Sequence, residues 1–223
     1  GRKMSKSLGN SPDPIKLIEK YGADGVRVGM LLCSPAGNDL PFNEQLCEQG
    51  RNFANKLWNA HRLISSWKID DSIEESNSSK ELTNWFKQKI NQSINNIDES
   101  FKSYRISEAL MIIYKLIWDD FCSWYLEGIK PKYGTPINSL TYKKTIGFLK
   151  DILKLIHPFM PFITEEIWHL ITKRKSQEAI IISSWPEFDT KLPIDTINDF
   201  EALQNIISGI RNIRKKYQIS FKE

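Results

Sequence analysis

The sequence predicts a mainly α-helical protein: a small N-terminal unit, an antiparallel helix bundle, and a short α/β tail. Apolar residues recur at steps of three and four through several long segments, which indicates amphipathic helices. The polar or Pro/Gly-containing breaks between these segments are mostly short, which favours antiparallel neighbours. One β-branched run at 179–183 is the only strong strand candidate.

The N-terminal unit is predicted over residues 1–42. Asp13 is placed to cap a helix whose first residue is Pro14, and this helix should stop at Gly22. Asp24 should cap a second, more apolar helix that ends near Leu32. The Pro- and Gly-rich stretch "SPAGNDLPF" that follows predicts a turn.

The bundle is predicted over residues 43–175 and begins with the clearest helix, at about 43–67. Its apolar stripe consists of Leu46, Gly50, Phe53, Leu57, Ala60 and Ile64. At about 100° per residue, the opposite side carries Arg51, Asn55, Trp58 and Arg62. Lys56 and Asn59 lie on the shoulders of that side. One face should therefore pack, while the other offers cations, amides and an indole.

Four more bundle helices and a tail complete the prediction. Ser78 and Glu81 suggest a capping box for a helix that extends to Phe101. Further helices are expected at about 107–126, 140–156 and 162–171. The tail, 176–223, combines the strand candidate with a helix at 196–217 that ends in the basic residues Arg211, Arg214, Lys215 and Lys216.

Composition narrows the class of protein. A net charge of +4 and a pI of about 8.8 permit a nucleic-acid partner without demanding one. No apolar run approaches the ~20 residues that span a bilayer. The three cysteines, without a Cys-x-x-Cys pair, favour a reduced, cytoplasmic protein. The three histidines have no metal-ligand spacing, so no metal site is predicted.

The opening stretch "GRKMSKSLGN" is the strongest motif. A generic Lys-x-x-Lys loop is usually just a solvated basic segment. The whole pentapeptide KMSKS, however, arises by chance in a chain of this size with a probability on the order of one in ten thousand. Two ammonium groups on a Gly-flanked loop can follow phosphate charge as it develops, and the hydroxyls can add hydrogen bonds.

The chain resembles class I aminoacyl-tRNA synthetases, from their KMSKS loop onward. The resemblance rests on "KMSKS", "LGNSPDP", "YGAD", "NFANKLWNA" and "HPFMPFITEEIW", which occur in the family's order over nearly the whole chain. Isoleucyl and leucyl enzymes share several of these segments, so they remain an alternative. "RNFANKLWNAHR" favours the valyl branch, with tRNA(Val) as partner and valine and ATP (with Mg²⁺) as substrates of the longer enzyme.

The resemblance implies roles for individual residues. The loop that closes over ATP during adenylate formation would be Lys3, Met4, Ser5, Lys6 and Ser7. Lys6, assisted by Lys3, would contact the phosphates and help to stabilise the departing pyrophosphate, which makes both lysines catalytic by electrostatics and positioning. The helices after the loop would form a stem-contact region that touches the inner elbow of tRNA.

The bundle would be the anticodon-binding domain, and its first helix has the chemistry for that role. The expected contact residues are Arg51, Asn55, Lys56, Trp58, Asn59 and Arg62, and Lys56 matches a position that the family uses near the anticodon. These residues offer flat groups on which unstacked RNA bases can stack, and donors for base edges and phosphates. Alternatively, Trp58 packs against a neighbouring helix and the arginines are solvated or paired.

The remaining charged clusters have structural interpretations that are at least as good as functional ones. The basic run at 211–216 could contact tRNA phosphates, but a solvated helix end is at least as compatible. The neighbouring pairs Asp119–Asp120 and Glu165–Glu166 point about 100° apart on a helix and are interpreted as surface or capping charges.

The same resemblance predicts what this chain does not do alone. No histidine lies in a His-Ile-Gly-His-like context, so the chain by itself should not charge tRNA. We expect a monomeric tRNA-recognition module. A helical scaffold for protein partners, with no RNA role, is the remaining alternative.

Overall fold

The computed structural model describes residues 4–5, 8, 11–33, 42–175, 177–193 and 195–220. The described part is mainly helical, as predicted. Its helices are α1 (Pro14–Tyr21), α2 (Ala23–Leu32), α3 (Glu44–Ser65), α4 (Asn77–Lys102), α5 (Ile106–Lys115), α6 (Leu126–Ile129), α7 (Ser139–Ile156), α8 (Pro161–Leu170) and α9 (Asp195–Lys216). The division into three units at 42/43 and 175/176 stays a prediction.

Helix α1 begins and ends where the sequence predicts, but the prediction that Asp24 caps α2 is wrong: Gly22 is the N-cap, Asp24 lies in the first turn of α2, and its carboxylate accepts from backbone N–H groups of α8 instead. The Asp13 Oδ1 atom accepts a hydrogen bond from the Ile15 N–H at 2.9 Å, and Pro14 occupies the first helical position. Gly22 separates α1 from α2 with φ of 75°, a conformation that glycine adopts without strain.

Helices α2 and α3 cross at very short range through glycines. A Cβ atom built on Gly50 would lie 2.4 Å from the Gly25 carbonyl oxygen, and one on Gly29 would lie 2.6 Å from the Cys47 nitrogen. Side chains at these positions would push the two backbones apart. The crossing therefore depends on glycine and fixes the position of α3 relative to α1 and α2.

The capping box predicted at Ser78 and Glu81 is wrong. Ser76 is the N-cap of α4, and its Oγ atom accepts from the Ser79 N–H at 3.1 Å. Ser78 already lies inside the helix. Four polar residues in succession made the start of the helix ambiguous in the sequence.

The helix predicted at 107–126 is in fact α5, a π-helical segment (Leu116–Tyr125) and α6 in direct succession. This arrangement buries Phe121, Tyr125 and also Asp120, which is only 6% exposed. The interpretation of Asp120 as a surface charge is therefore wrong. Burial raises the pKa of Asp120 to about 6.

The core lies between α3, α4, the π-helical segment and α7. Phe86 is fully buried at its centre, with ring centroids 5.3 Å from Phe121, 4.8 Å from Tyr125 and 5.1 Å from Phe148. Val28 of α2 belongs to the same core. A short parallel pair of strands, β1 (Ile69–Asp70) and β2 (Ile137–Asn138), joins two inter-helix connections, with Ile69 opposite Ile137.

The strand predicted at 179–183 is wrong. The segment Ile180–Ile182 forms a 3-10 turn in which the Ser183 N–H bonds back to the Ile180 carbonyl at 2.9 Å. Ile180 is buried, whereas Ile181 and Ile182 are about three-quarters exposed. The Ile180 N–H donates to the Glu165 carboxylate instead of to a neighbouring strand, at 3.2 Å to Oε2.

The tail after this turn lies across α4. The Asn91 side chain exchanges two hydrogen bonds with the backbone of Asp189, at 2.8 and 3.0 Å. Phe200 of α9 then packs on Trp85, with ring centroids 4.0 Å apart, and Glu201 pairs with Lys89 at 2.9 Å. The N-terminal part of α9 is thus attached to the bundle.

Candidate nucleic-acid interface

Of the KMSKS loop (residues 3–7), only Met4 and Ser5 belong to the described residues. Lys3, Lys6 and Ser7 lie outside them, so their expected roles remain predictions. Met4 is exposed, and the Ser5 Oγ atom accepts a hydrogen bond from the Leu8 N–H at 3.2 Å.

Helix α3 has one packed side and one open side, as predicted. Its N-cap is Asn43, whose side chain accepts from the Gln45 N–H at 3.0 Å. Every residue of the predicted apolar stripe from Gly50 to Ile64 is buried. Asn55, Asn59 and Arg62 are exposed on the open side. Because a helix rises about 1.5 Å per residue, these three side chains span about 10 Å along the axis.

Arg51 belongs to a different part of the surface from Arg62. Its guanidinium lies over the ring of Tyr21 at 5.6 Å and reaches the Lys20 carbonyl at 3.5 Å. Glu48 is its acidic neighbour, also at 3.5 Å. Arg51 is therefore half-buried beside α1, about 16 Å along the helix from Arg62.

Lys56 contacts an aromatic pair that the sequence interpretation missed. Its Nζ atom lies 5.3 Å from the ring centroid of Trp118. Trp118 and Tyr114 stack on each other, with centroids 5.5 Å apart and planes inclined by 7°. Both rings are half-buried against Phe53. Their spacing of four residues places them on one helix face, and that signal is present in the sequence.

Trp58 is oriented towards the core rather than towards solvent. It is half-buried against the main core, and its ring centroid is 5.6 Å from that of His61. The packing alternative describes this residue better than a free stacking surface does. Of the six expected contact residues, Asn55, Asn59 and Arg62 are therefore the exposed ones.

The segments "YGAD" and "HPFMPF" meet at a corner between α2 and α8. Asp24 accepts hydrogen bonds from the backbone N–H groups of Phe162 at 3.3 Å and Ile163 at 2.8 Å, and so caps α8. Arg27 donates to the carbonyls of Pro158 at 2.8 Å and Phe159 at 3.2 Å. Burial raises the pKa of Asp24, although these backbone bonds oppose the shift. Both charged groups therefore hold the corner together.

His157 is a structural histidine at the same corner. The Thr164 hydroxyl donates to the Met160 carbonyl at 2.7 Å, so it must accept from the His157 Nδ1–H, also at 2.7 Å. Burial lowers the pKa of His157, which favours the neutral ring. These bonds orient the ring for packing and involve no reacting group.

The basic run of α9 is only partly open. Arg211 lies over the ring of Trp124 at 5.3 Å, and Arg214 donates to the Ser220 carbonyl. Lys215 and Lys216 are exposed. Arg211 is exposed as well, so the run combines packing contacts with three cations that reach solvent.

The described residues contain neither a metal centre nor a membrane span. Within these ranges, no group of three or more His, Cys, Asp or Glu side chains is arranged to hold a metal ion. Among the described helices, none has both the length and the apolar composition to cross a membrane.

Two family models match the chain. "Anticodon-binding domain of tRNA ligase" matches residues 83–223, and "tRNA synthetases class I (I, L, M and V)" matches residues 1–43. Similar curated proteins are valine–tRNA ligases. That of Christiangramia forsetii is 55% identical over 99% of this chain, and that of Parabacteroides distasonis is 52% identical over 100%. The chain spans about a quarter of the length of each, 25% in both cases.

A solved structure has the same fold. The ternary complex of a LeuRS with tRNA and LeuAMS, from Agrobacterium radiobacter K84, matches with a TM-score of 0.65 and 20% identity, over 86% of this chain and 23% of that one. At this level of identity the match bears on fold alone. Since the first family model alone covers more than half of the 223 residues, the chain belongs to the family of anticodon-binding domains of tRNA ligases.

Proposed function

We propose that this chain is the tRNA-recognition part of a valine–tRNA ligase and that it reads the anticodon with the open side of α3. The observation that carries the proposal is the exposed set Asn55, Asn59 and Arg62 on one side of a helix whose other side is buried. The similarity to valine–tRNA ligases over the whole chain supports valine over isoleucine or leucine.

The chemistry of this side suits unpaired RNA. Asn55 and Asn59 each present an amide that can donate to and accept from base edges, and Arg62 offers a planar fork of donors to bases or phosphates. Lys56 can leave Trp118 and bind a phosphate, because a cation–π contact at an exposed site contributes only about 0.5–1 kcal/mol. Arg51 adds a cation nearer to α1.

The enzyme of which this chain would be a part uses ATP, with Mg²⁺, to join valine to tRNA(Val). In it, Lys3 and Lys6 stabilise the departing pyrophosphate, while Met4, Ser5 and Ser7 complete the loop over ATP. Since this chain spans a quarter of its relatives, we expect that aminoacylation requires the rest of the enzyme. We further propose that it acts as a monomer in the cytoplasm.

Binding of the purified chain to tRNA transcripts tests the proposal. We expect tighter binding to valine tRNA than to isoleucine tRNA, or to valine tRNA with a changed middle anticodon base. Equal, weak and steeply salt-dependent binding to all three would instead indicate a basic bundle without anticodon recognition. No salt-dependent RNA binding at all would favour a protein-interaction scaffold.

Variants locate the site on α3. Arg62→Ala should weaken binding by about 1–3 kcal/mol if the residue contacts a base. If it contacts a phosphate, the slope of log affinity against log salt should fall by about 0.7. Lys56→Ala should behave similarly. Lys102→Ala, at an exposed position at the end of α4, is the matched control. Unchanged binding of both α3 variants at every salt concentration would contradict the placement.

A further inference from the structure

A groove of about 330 Å³ lies where the turn between α1 and α2 meets α3 and α8. Its polar lining includes Lys20, Tyr21, Asp24, Arg51 and Asn55, and Phe162 lines the α8 side. Arg51 and Asn55 were expected to contact RNA, whereas Phe162, within the segment "HPFMPFITEEIW", was given no role. The tertiary structure brings these residues together, since Phe162 is more than 100 positions away along the chain.

Phe162 is an aromatic residue that the fold does not bury. Its side chain is 65% exposed although it is in the first turn of α8. Its backbone is held firmly, because its N–H donates to Asp24 at the corner already described. The ring is thus presented to solvent from a backbone that is bonded to Asp24.

The cations beside this ring are only partly neutralised. Lys20 pairs with Glu44 at 2.9 Å, but both side chains are about half exposed or more. Exposed pairs of this kind contribute little and exchange readily. The Arg51 contacts to Glu48 and to the Lys20 carbonyl are both 3.5 Å long, so its guanidinium can turn towards a stronger acceptor. The Asp24 carboxylate is satisfied by backbone N–H groups and is only 8% exposed.

We propose that this groove binds one unpaired nucleotide of the tRNA, with the base stacked on Phe162, its edge at Asn55, and its phosphate at Arg51 and Lys20. The proposal rests on the proposed tRNA-binding function and extends the contact surface on the open side of α3, with which the groove shares Asn55. An aromatic ring beside cations and an amide is the combination that binds single-stranded nucleic acid. A protein partner fits less well, because one exposed ring among charged groups offers little apolar area.

Phe162→Ala tests the stacking contact with the whole 223-residue chain and a valine tRNA transcript. Because the side chain is exposed and alanine favours helix, the thermal unfolding temperature should not change. We expect a roughly 5- to 100-fold loss of affinity with an unchanged salt slope, since no charge is removed. Phe162→Trp should retain affinity. Leu170→Ala, at a half-exposed apolar position on the same helix, is the matched control and should bind like the parent.

Arg51→Gln tests the phosphate contact independently. It should lower the salt slope by about 0.7, which Phe162→Ala should not do. In addition, p-benzoylphenylalanine at position 162 should crosslink to the transcript under light. The crosslinked nucleotide, located by reverse transcription, should lie in a single-stranded part of the tRNA.

The outcomes separate this proposal from the function on which it rests. If Arg62→Ala weakens binding but Phe162→Ala does not, the groove proposal is wrong and the proposed function stands. If position 162 crosslinks to a second copy of the chain rather than to RNA, the groove is a protein contact. If the parent chain binds no tRNA, both proposals fail.

Discussion

Asp120 shows how one buried carboxyl group can oppose stability. It lies in the π-helical segment with 6% exposure, and burial raises its pKa to about 6. The neighbouring charges that act on it are Lys89, Lys115, Asp119 and Glu201. The two lysines lower the pKa and the two acids raise it, but burial has the largest effect.

Asp120→Asn should stabilise the protein at neutral pH. An ordinary Asp has a pKa near 3.9 when unfolded, so the folded state binds more protons between about pH 4 and 6. Stability contributed by this group is therefore lost as pH rises through that window. The asparagine variant should show a flatter pH dependence there and about 1–3 kcal/mol more unfolding free energy at pH 7. Urea titrations at several pH values measure this. Asp119→Asn, at the exposed neighbouring position, is the control, and equal gains for both variants would contradict the explanation.

At the scale of helices, the crossing of α2 and α3 determines where the candidate interface lies. The crossing places Arg51 beside Tyr21 and keeps the open side of α3 free. Gly50 is the closest point of approach, since its missing side chain leaves room only for the Gly25 carbonyl. A close backbone contact of this kind cannot relax by rotating a side chain.

Gly50→Ala should destabilise the protein, by about 1–3 kcal/mol, because overpacking at the crossing outweighs the better helix propensity of alanine. Gly147→Ala, in α7, is the matched control. A Cβ atom there meets nothing within 4 Å, so the same substitution should instead stabilise by about 0.5–1 kcal/mol. Chemical denaturation measures the change in unfolding free energy of each variant, which should be a loss for Gly50→Ala and a gain for Gly147→Ala. A stabilised Gly50→Ala variant would show that α2 and α3 do not cross as described.

At the scale of the whole molecule, α9 is attached through its beginning and exposed along its length. Phe200 and Glu201 contact α4, and Arg211 contacts Trp124. Further along, one outward side is apolar and exposed: Leu203, Ile206, Ile210, Ile213 and Tyr217. The free energy that holds α9 to the bundle therefore depends on a few contacts, most of them near its N-terminal end, with Arg211 on Trp124 further along.

Phe200→Ala should release α9 without unfolding the bundle. We expect faster amide hydrogen exchange throughout α9, while α3 and α7 keep their protection, because this ring packs against the bundle core from outside and is only partly buried. Leu203→Ala, about half-exposed on the same helix, should leave exchange unchanged. Faster exchange in α7 as well would mean that α9 and the bundle unfold as one unit.

The sequence by itself determined where most helices of this protein lie, and the two sides of α3, but not the π-helical segment. The ends of α1 are set by Asp13, Pro14 and Gly22. These residues act on neighbours only a few positions away, so their effects can be inferred from the sequence. The stripe from Gly50 to Ile64 is equally local, because helical periodicity alone places it on one side. The KMSKS and "HPFMPF" segments likewise indicate the family through the order of residues alone, without any knowledge of how the helices pack.

Only the tertiary structure decided which residues meet. It packed Trp58 against the core, placed Lys56 on Trp118 and brought Phe162 to the groove beside Arg51. It also made a 3-10 turn of the β-branched run, since no strand lies beside Ile180 in the described structure and Glu165 accepts its N–H. Most of these contacts join positions far apart in sequence, and local periodicity and propensity carry no information about such distances.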